Sequence, residues 1–242
     1  MFYFKSYRVF HQNCLIKFFI NSYKRTMSLS NGSTNRGALI VFEGCDRCGK
    51  STQSSMLVEY LKKQNIPVKH MAFPDRTSPS GKLINAYLTN KQEMPDESIH
   101  LLFAINRWEI QNEIKKLLNN GTTLIVDRYS YSGVAYSTAK GLSFEWCQAP
   151  ERGLIRPDLV FYLKTDIDTL TSRSNFGEER YEKKEFQTKV SQVFNEICKT
   201  ESSYWTEVNA AQNLNSIHEL VSSEAMNLIE TVSKTPLNLL WK

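Results

Sequence analysis

The chain has 242 residues, 41% apolar and 23% charged. That is enough to bury a core without disulfide or metal staples, and no run approaches the roughly 18 apolar residues of a membrane span. The formal charge of +5 suggests a nucleic-acid or membrane-surface binder until the charges are located. Residues 1–36 carry Lys5, Arg8, Lys17, Lys24, Arg25 and Arg36 and no acid, which leaves 24 basic against 25 acidic residues in the rest. The basic excess therefore belongs to a leader, and the body gives no reason to expect a nucleic-acid or membrane partner.

The leader places aromatics beside hydroxyl residues and lacks carboxylates, a composition compatible with a mitochondrial presequence. The alternative is an extension ahead of a second start at Met27, followed by a polar linker up to Asn35. Its longest apolar stretch is broken by Lys17, which argues against secretion. From residue 37 to 242 short apolar runs alternate with helical patterns. The runs predict strands at 38–42, 68–73, 123–127, 159–163 and 205–209. Helices are expected at 51–63, 81–89, 97–119, 165–173, 184–200 and 216–232. Strands rich in Val, Ile and Leu separated by helices predict one α/β domain with a parallel five-stranded sheet covered on both faces.

Between the first strand and the first helix, Gly44-Cys45-Asp46-Arg47-Cys48-Gly49-Lys50-Ser51 satisfies G-x-x-x-x-G-K-[ST] in the required strand–loop–helix context. Such a loop turns successive backbone N–H groups, and a helix N-terminus, toward the phosphates of a nucleoside triphosphate. Lys50 would reach the β- and γ-phosphates, and the Ser51 hydroxyl would ligand Mg²⁺. Asp127, closing an apolar strand, stands where a second acid holds the metal's water shell. A GTP switch needs N-K-x-D after a buried strand; Asn90-Lys91-Gln92-Glu93 ends in Glu and follows a helical segment.

Five cysteines, an odd and sparse set, fit a reducing compartment. Cys45 and Cys48 form C-x-x-C, but no second ligand pair stands at zinc spacing and both fall inside the phosphate loop. The helix N-terminus and Lys50 beside Cys48 predict a reactive thiolate that ATP shields. Arg76 and Arg128 follow strand ends and would border the ligand crevice with Arg47 and Lys50. Phe103 and Arg107, four apart, share one side of a helix whose apolar stripe includes Ile99, Leu102, Ile110, Ile114 and Leu117. On spacing alone, Phe103 is as consistent with core packing as with stacking on a base.

The ordered set of motifs resembles the thymidylate kinase family. It comprises the phosphate loop extended through Thr52 and Gln53, Phe73-Pro74-Asp75-Arg76, residues 101–109 around Phe103 and Arg107, and Asp127-Arg128-Tyr129 continuing to Tyr136. Pro157-Asp158-Leu159 and the lid-like Phe176-Gly177-Glu178-Glu179-Arg180-Tyr181-Glu182 complete it. The resemblance covers essentially the whole body. It implies a nucleoside monophosphate kinase-like P-loop fold with a lid that moves the γ-phosphate of ATP to dTMP with Mg²⁺. It also implies a homodimer, in the cytoplasm or nucleus, or in mitochondria if the leader is a transit peptide.

By the same resemblance, Phe103 and Arg107 read thymine by stacking and hydrogen bonding, with Phe73 near the base. Arg76 and Arg128 bind the dTMP phosphate, Asp46 engages the acceptor's sugar and the catalytic network, and Tyr136 lies near the sugar's 2′ position. Ser132 lies near the base's polar edge, and Gly133 beside it belongs to the substrate-binding set. Gly44 to Thr52 form the ATP loop, in which Arg47 acts on the γ-phosphate beside Lys50 and Asp46. Arg180 and Tyr181 fall in the lid, with Tyr181 reaching the acceptor, and Arg173 lies near adenine. The remaining alternatives are another P-loop kinase taking dUMP or a deoxynucleoside, and a catalytically silent nucleotide-binding protein. Asp75 where Glu is common, and cysteines where small or aliphatic residues are usual, are the departures.

Overall fold

The computed structural model describes residues 35–171 and 179–241. The leader through residue 34, Arg173 and the Phe176-Gly177-Glu178 part of the lid motif lie outside the described residues. Five strands run parallel in the order β2-β3-β1-β4-β5: β1 Leu39–Glu43, β2 Val68–Ala72, β3 Thr123–Asp127, β4 Leu159–Lys164 and β5 Trp205–Asn209. β1 and β3 are buried at every position, and β4 at all but its last, so both faces are covered; this explains their unbroken apolar runs.

The helices are α1 Lys50–Lys63, α2 Pro79–Leu88, α3 Asp96–Trp108, α4 Gln111–Asn119, α5 Ser130–Ala139, α6 Phe144–Gln148, α7 Ile167–Thr171, α8 Lys184–Thr200 and α9 Leu214–Val232. Among the described residues, no helix is long and apolar enough to cross a membrane.

Three sequence expectations need correction. The single helix expected over 97–119 is two, α3 and α4, divided at Glu109 and Ile110, where Ile110 takes φ −114° and ψ 8°. No Gly or Pro marks the break; tertiary contacts hold it. Trp108 Nε1 donates to Pro150 O at 2.7 Å, and Ser80 Oγ to Glu109 Oε2 at 2.9 Å. Helix α5 is absent from the predicted set because Ser130 through Ser137 are all buried, leaving no polar face to impose a 3.6-residue rhythm.

Arg36, counted with the leader, belongs to the body. Its guanidinium donates to both Asp158 oxygens at 2.8 and 2.7 Å, and its N–H to Ser233 O at 3.1 Å. Asp158 Oδ2 also accepts from Leu39 N at 2.9 Å, so the Pro157-Asp158 motif fastens the start of β1. With Arg36 returned, the body balances at 25 basic and 25 acidic residues.

Candidate active site

The C-terminal ends of β1 and β3 open into one cavity, lined among others by Asp46, Ser51, Phe73, Arg76, Phe103, Arg107, Asp127, Arg128, Ser132, Gly133, Tyr136 and Tyr181. Ligands of open parallel sheets bind at such strand ends.

The donor side is the loop between β1 and α1. Gly44 has φ 140°, and a Cβ there would lie 2.4 Å from Leu163 O, so only glycine fits. Gly49 caps α1 in the left-handed region, and no side chain caps the helix, so its first N–H groups face the loop interior. Lys50 is buried and curls back, its Nζ 2.6 Å from Cys45 O and 3.5 Å from Cys48 Sγ. The hydroxyl of Ser51 donates to Asp127 Oδ2. Asp127 Oδ1 is buried without a hydrogen-bond partner. A hydroxyl and a carboxylate sharing one corner, with an orphaned oxygen beside them, suit Mg²⁺, which takes one or two protein ligands and completes its shell with phosphate and water. Thr52 is exposed in the first turn of α1.

Arg47 Nε donates to Glu182 Oε1 at 2.8 Å. Arg47 and Arg128 both sit in the left-handed region, at φ 62° and 65°. Each costs of order 1–3 kcal/mol of local strain, of the kind that clusters at functional sites. Arg128 donates from Nη1 to Gly44 O, Ser132 Oγ and Tyr136 OH at 3.2, 3.2 and 3.3 Å, and pairs through Nη2 with Asp46 Oδ1. Arg128, at the end of β3, thus reaches the loop between β1 and α1.

Arg76 donates to Asn85 Oδ1 at 2.9 Å and Glu179 Oε1 at 2.8 Å. Its loop hangs on buried Asn106, which accepts from Asp75 N at 2.8 Å and donates to Ser78 Oγ and Ser80 Oγ at 2.9 Å each. Phe73 and Phe103 give the cavity its apolar wall, and Arg107 lies at its floor. Tyr181 lines the cavity, its ring 5.2 Å from Phe186 and 5.4 Å from Tyr136.

Arg180, in the lid segment, donates to Glu93 Oε1 at 2.7 Å and Tyr87 O at 2.9 Å, with its guanidinium 4.1 Å from the Tyr87 ring centroid. One expectation is not met by this arrangement. The cysteines are not exposed nucleophiles. Cys48 is 2% exposed, and burial pushes the Cys45 thiol up to about 12. The helix N-terminus is present as expected, but both sulfurs are buried.

Gln187, Glu43 and Glu151 carry no sequence signal, and Glu182 is legible only as the end of the lid-like motif. Gln187 accepts from Asp46 N at 2.9 Å and donates to Asp46 Oδ2 at 2.6 Å and Tyr181 O at 2.9 Å, joining the phosphate loop to the lid segment. Glu43, fully buried, accepts from Tyr129 N, Ser132 N and Ser132 Oγ at 2.8, 3.1 and 2.5 Å and thereby holds the start of α5. Burial raises its carboxyl above the usual range, against the lowering pull of the Ser132 hydroxyl and Arg128. Glu182 and Glu151 are the partners of Arg47 and Arg107.

The thymidylate kinase family model matches residues 42–221. This chain belongs to the thymidylate kinase family. It is 48% identical over 205 residues to the thymidylate kinase of Dictyostelium discoideum, covering 84% of this chain and 91% of that one. It is 42% identical over 211 residues to the human thymidylate kinase, covering 87% and 100%. The solved thymidylate kinase of Candida albicans superposes with a TM-score of 0.73 at 38% identity, covering 84% of this chain and 98% of that one. As a thymidylate kinase with this P-loop fold, the chain transfers phosphate from ATP to dTMP.

Proposed function

We propose that the two halves of the cavity divide the reaction between them. On the donor side Lys50 leaves the Cys45 carbonyl for the β- and γ-phosphates, while Arg47 turns to the transferring group. On the acceptor side Arg128 and Arg76 hold the dTMP phosphate, Asp46 and Tyr136 face the sugar, and Phe73, Phe103, Ser132, Gly133 and Arg107 enclose thymine. Tyr181 closes the acceptor side; Arg180 and Arg173 serve the lid once ATP is bound. Ser51 and Asp127 would hold Mg²⁺, which when bound neutralises charge on the β- and γ-phosphate oxygens.

A phosphate oxygen of dTMP attacks the γ-phosphorus, the bond to the β–γ bridging oxygen breaks, and ADP leaves. The nucleophile is already an anion, so no general base is required, and alignment with charge neutralisation supplies the catalysis. The observation that carries this reading is the Asp46–Arg128 pair, which joins the donor loop to the acceptor's phosphate cation. ADP release measured across dTMP, dUMP, UMP and thymidine tests it. Turnover highest with dTMP is expected; preference for a nucleoside would overturn the assignment of Arg76 and Arg128.

A homodimer is supported by Leu101, Ile105 and Trp108, 42%, 48% and 43% exposed along one side of α3. Sedimentation should give twice the chain mass; a monomer refutes it. The leader is read as an address, cytoplasmic without it and mitochondrial with it, and fractionation of cells expressing the chain from Met1 or from Met27 decides.

A further inference from the structure

Arg107 reaches the cavity floor with 2% of its side chain exposed, yet it does not act there as a net cation. Glu151, 0% exposed, takes its Nε–H at 2.9 Å and pairs with Nη2 through the second carboxylate oxygen. Ser130 Oγ donates to the same carboxylate at 3.0 Å. Glu151 is no part of the cavity wall; it ends the 3-10 turn Ala149–Glu151 behind the arginine. Gly133 completes the arrangement, since a Cβ there would stand 2.5 Å from Arg107 Nη2. Two bonds from one carboxylate fix the plane of a guanidinium and spend its charge, while its remaining N–H groups keep fixed directions.

We propose that Glu151 is a positioning residue for base selection. By cancelling the charge of Arg107 and locking its plane, it makes the guanidinium a neutral, directional donor that accepts a pyrimidine with a carbonyl at C4 and rejects one with an amino group there. This rests on the reading of Arg107 as the base reader. A buried donor left facing another donor is penalised far more than a lost contact, so selection against the amino base is steep only while the plane is held.

The test compares Glu151→Gln, Glu151→Asp and Arg107→Lys with dTMP, with dCMP, and with the 2-pyrimidinone analogue of dTMP that lacks the C4 oxygen. Glu151→Gln should raise KM for dTMP about tenfold, the cost of one misaligned hydrogen bond, with kcat within about twofold. KM for the analogue should stay within about twofold, and the dTMP to dCMP preference should narrow. Glu151→Asp should lose less on dTMP and nothing on the analogue. If Glu151→Gln fails to fold, the aspartate variant carries the same comparison. Equal losses on dTMP and analogue, or an unchanged dTMP KM, overturn the proposal. If Arg107→Lys leaves the dTMP to analogue ratio unchanged, the base-reader assignment itself fails; if it collapses that ratio while the Glu151 variants do not, only the proposal falls.

Discussion

Gly133→Ala sets two effects of opposite sign against each other. Its backbone is helical, so alanine should stabilise α5 by about 1 kcal/mol through propensity. The new Cβ, however, would lie 2.5 Å from Arg107 Nη2 and 3.3 Å from Glu151 Oε1, with no other kind of neighbour nearer. Restoring ordinary contact requires Nη2 to move by about 0.9 Å, and a buried bidentate pair cannot absorb that while keeping both bonds. A lost charge-assisted bond is worth about 1.5–3 kcal/mol, so after the propensity gain the net effect is destabilisation of about 0.5–2 kcal/mol. For a domain of this size that lowers Tm by about 2–4 °C per kcal/mol. Thermal melts should therefore show a lower Tm, and steady-state assays a raised KM for dTMP with KM for ATP unchanged, because the methyl touches only the acceptor floor. A higher Tm together with an unchanged dTMP KM would refute the reasoning: propensity would have won, and the Arg107–Glu151 pair would be softer than its burial implies.

Arg47→Ala should lower kcat by about three orders of magnitude, as loss of an arginine finger does, with little change in dTMP KM; near-normal turnover in a stopped assay sinks that role. His100 is fully buried, with Nδ1 2.8 Å from Ser137 Oγ and Nε2 2.9 Å from Cys147 O, and burial holds its pKa below the usual histidine value. The unfolded chain therefore binds the proton first, so stability present above about pH 6.5 should drain as pH falls toward the folded-state pKa. Urea titrations at pH 7.5 and 5.5 should show a smaller drop for His100→Gln than for the parent; equal drops remove His100 as the cause. Arg36→Ala strands Asp158 at a nearly buried position and should cost about 3–5 kcal/mol, read as a lower urea midpoint. A shift under 1 kcal/mol would mean water replaces the arginine there.

What the sequence discloses and what it hides follow from distance along the chain. The phosphate loop is legible because its glycines, Lys50 and Ser51 lie within eight residues, and the strands because burial on both faces leaves unbroken apolar runs. Each candidate arginine was visible, but its partner was not: Arg47 and Glu182 are 135 residues apart, Arg107 and Glu151 44, Asp46 and Gln187 141. No local pattern selects one glutamate among the many that face solvent. The α3–α4 break is hidden for the same reason, since Ser80 and Pro150 hold it from elsewhere in the chain. Cys48 shows the opposite failure. The neighbouring helix N-terminus and Lys50 are legible in the sequence, but its burial is set by the fold.

The Arg36 clasp draws a line that any N-terminal trimming must respect. If the leader is a transit peptide, a cut that spares Arg36 keeps the hydrogen bonds that fasten the start of β1 to Ser233 and Asp158. A cut one residue later would leave the first strand without its pin. If the leader is removed, Arg36 sets the inner limit of trimming, because that arginine of the basic stretch belongs to the framework.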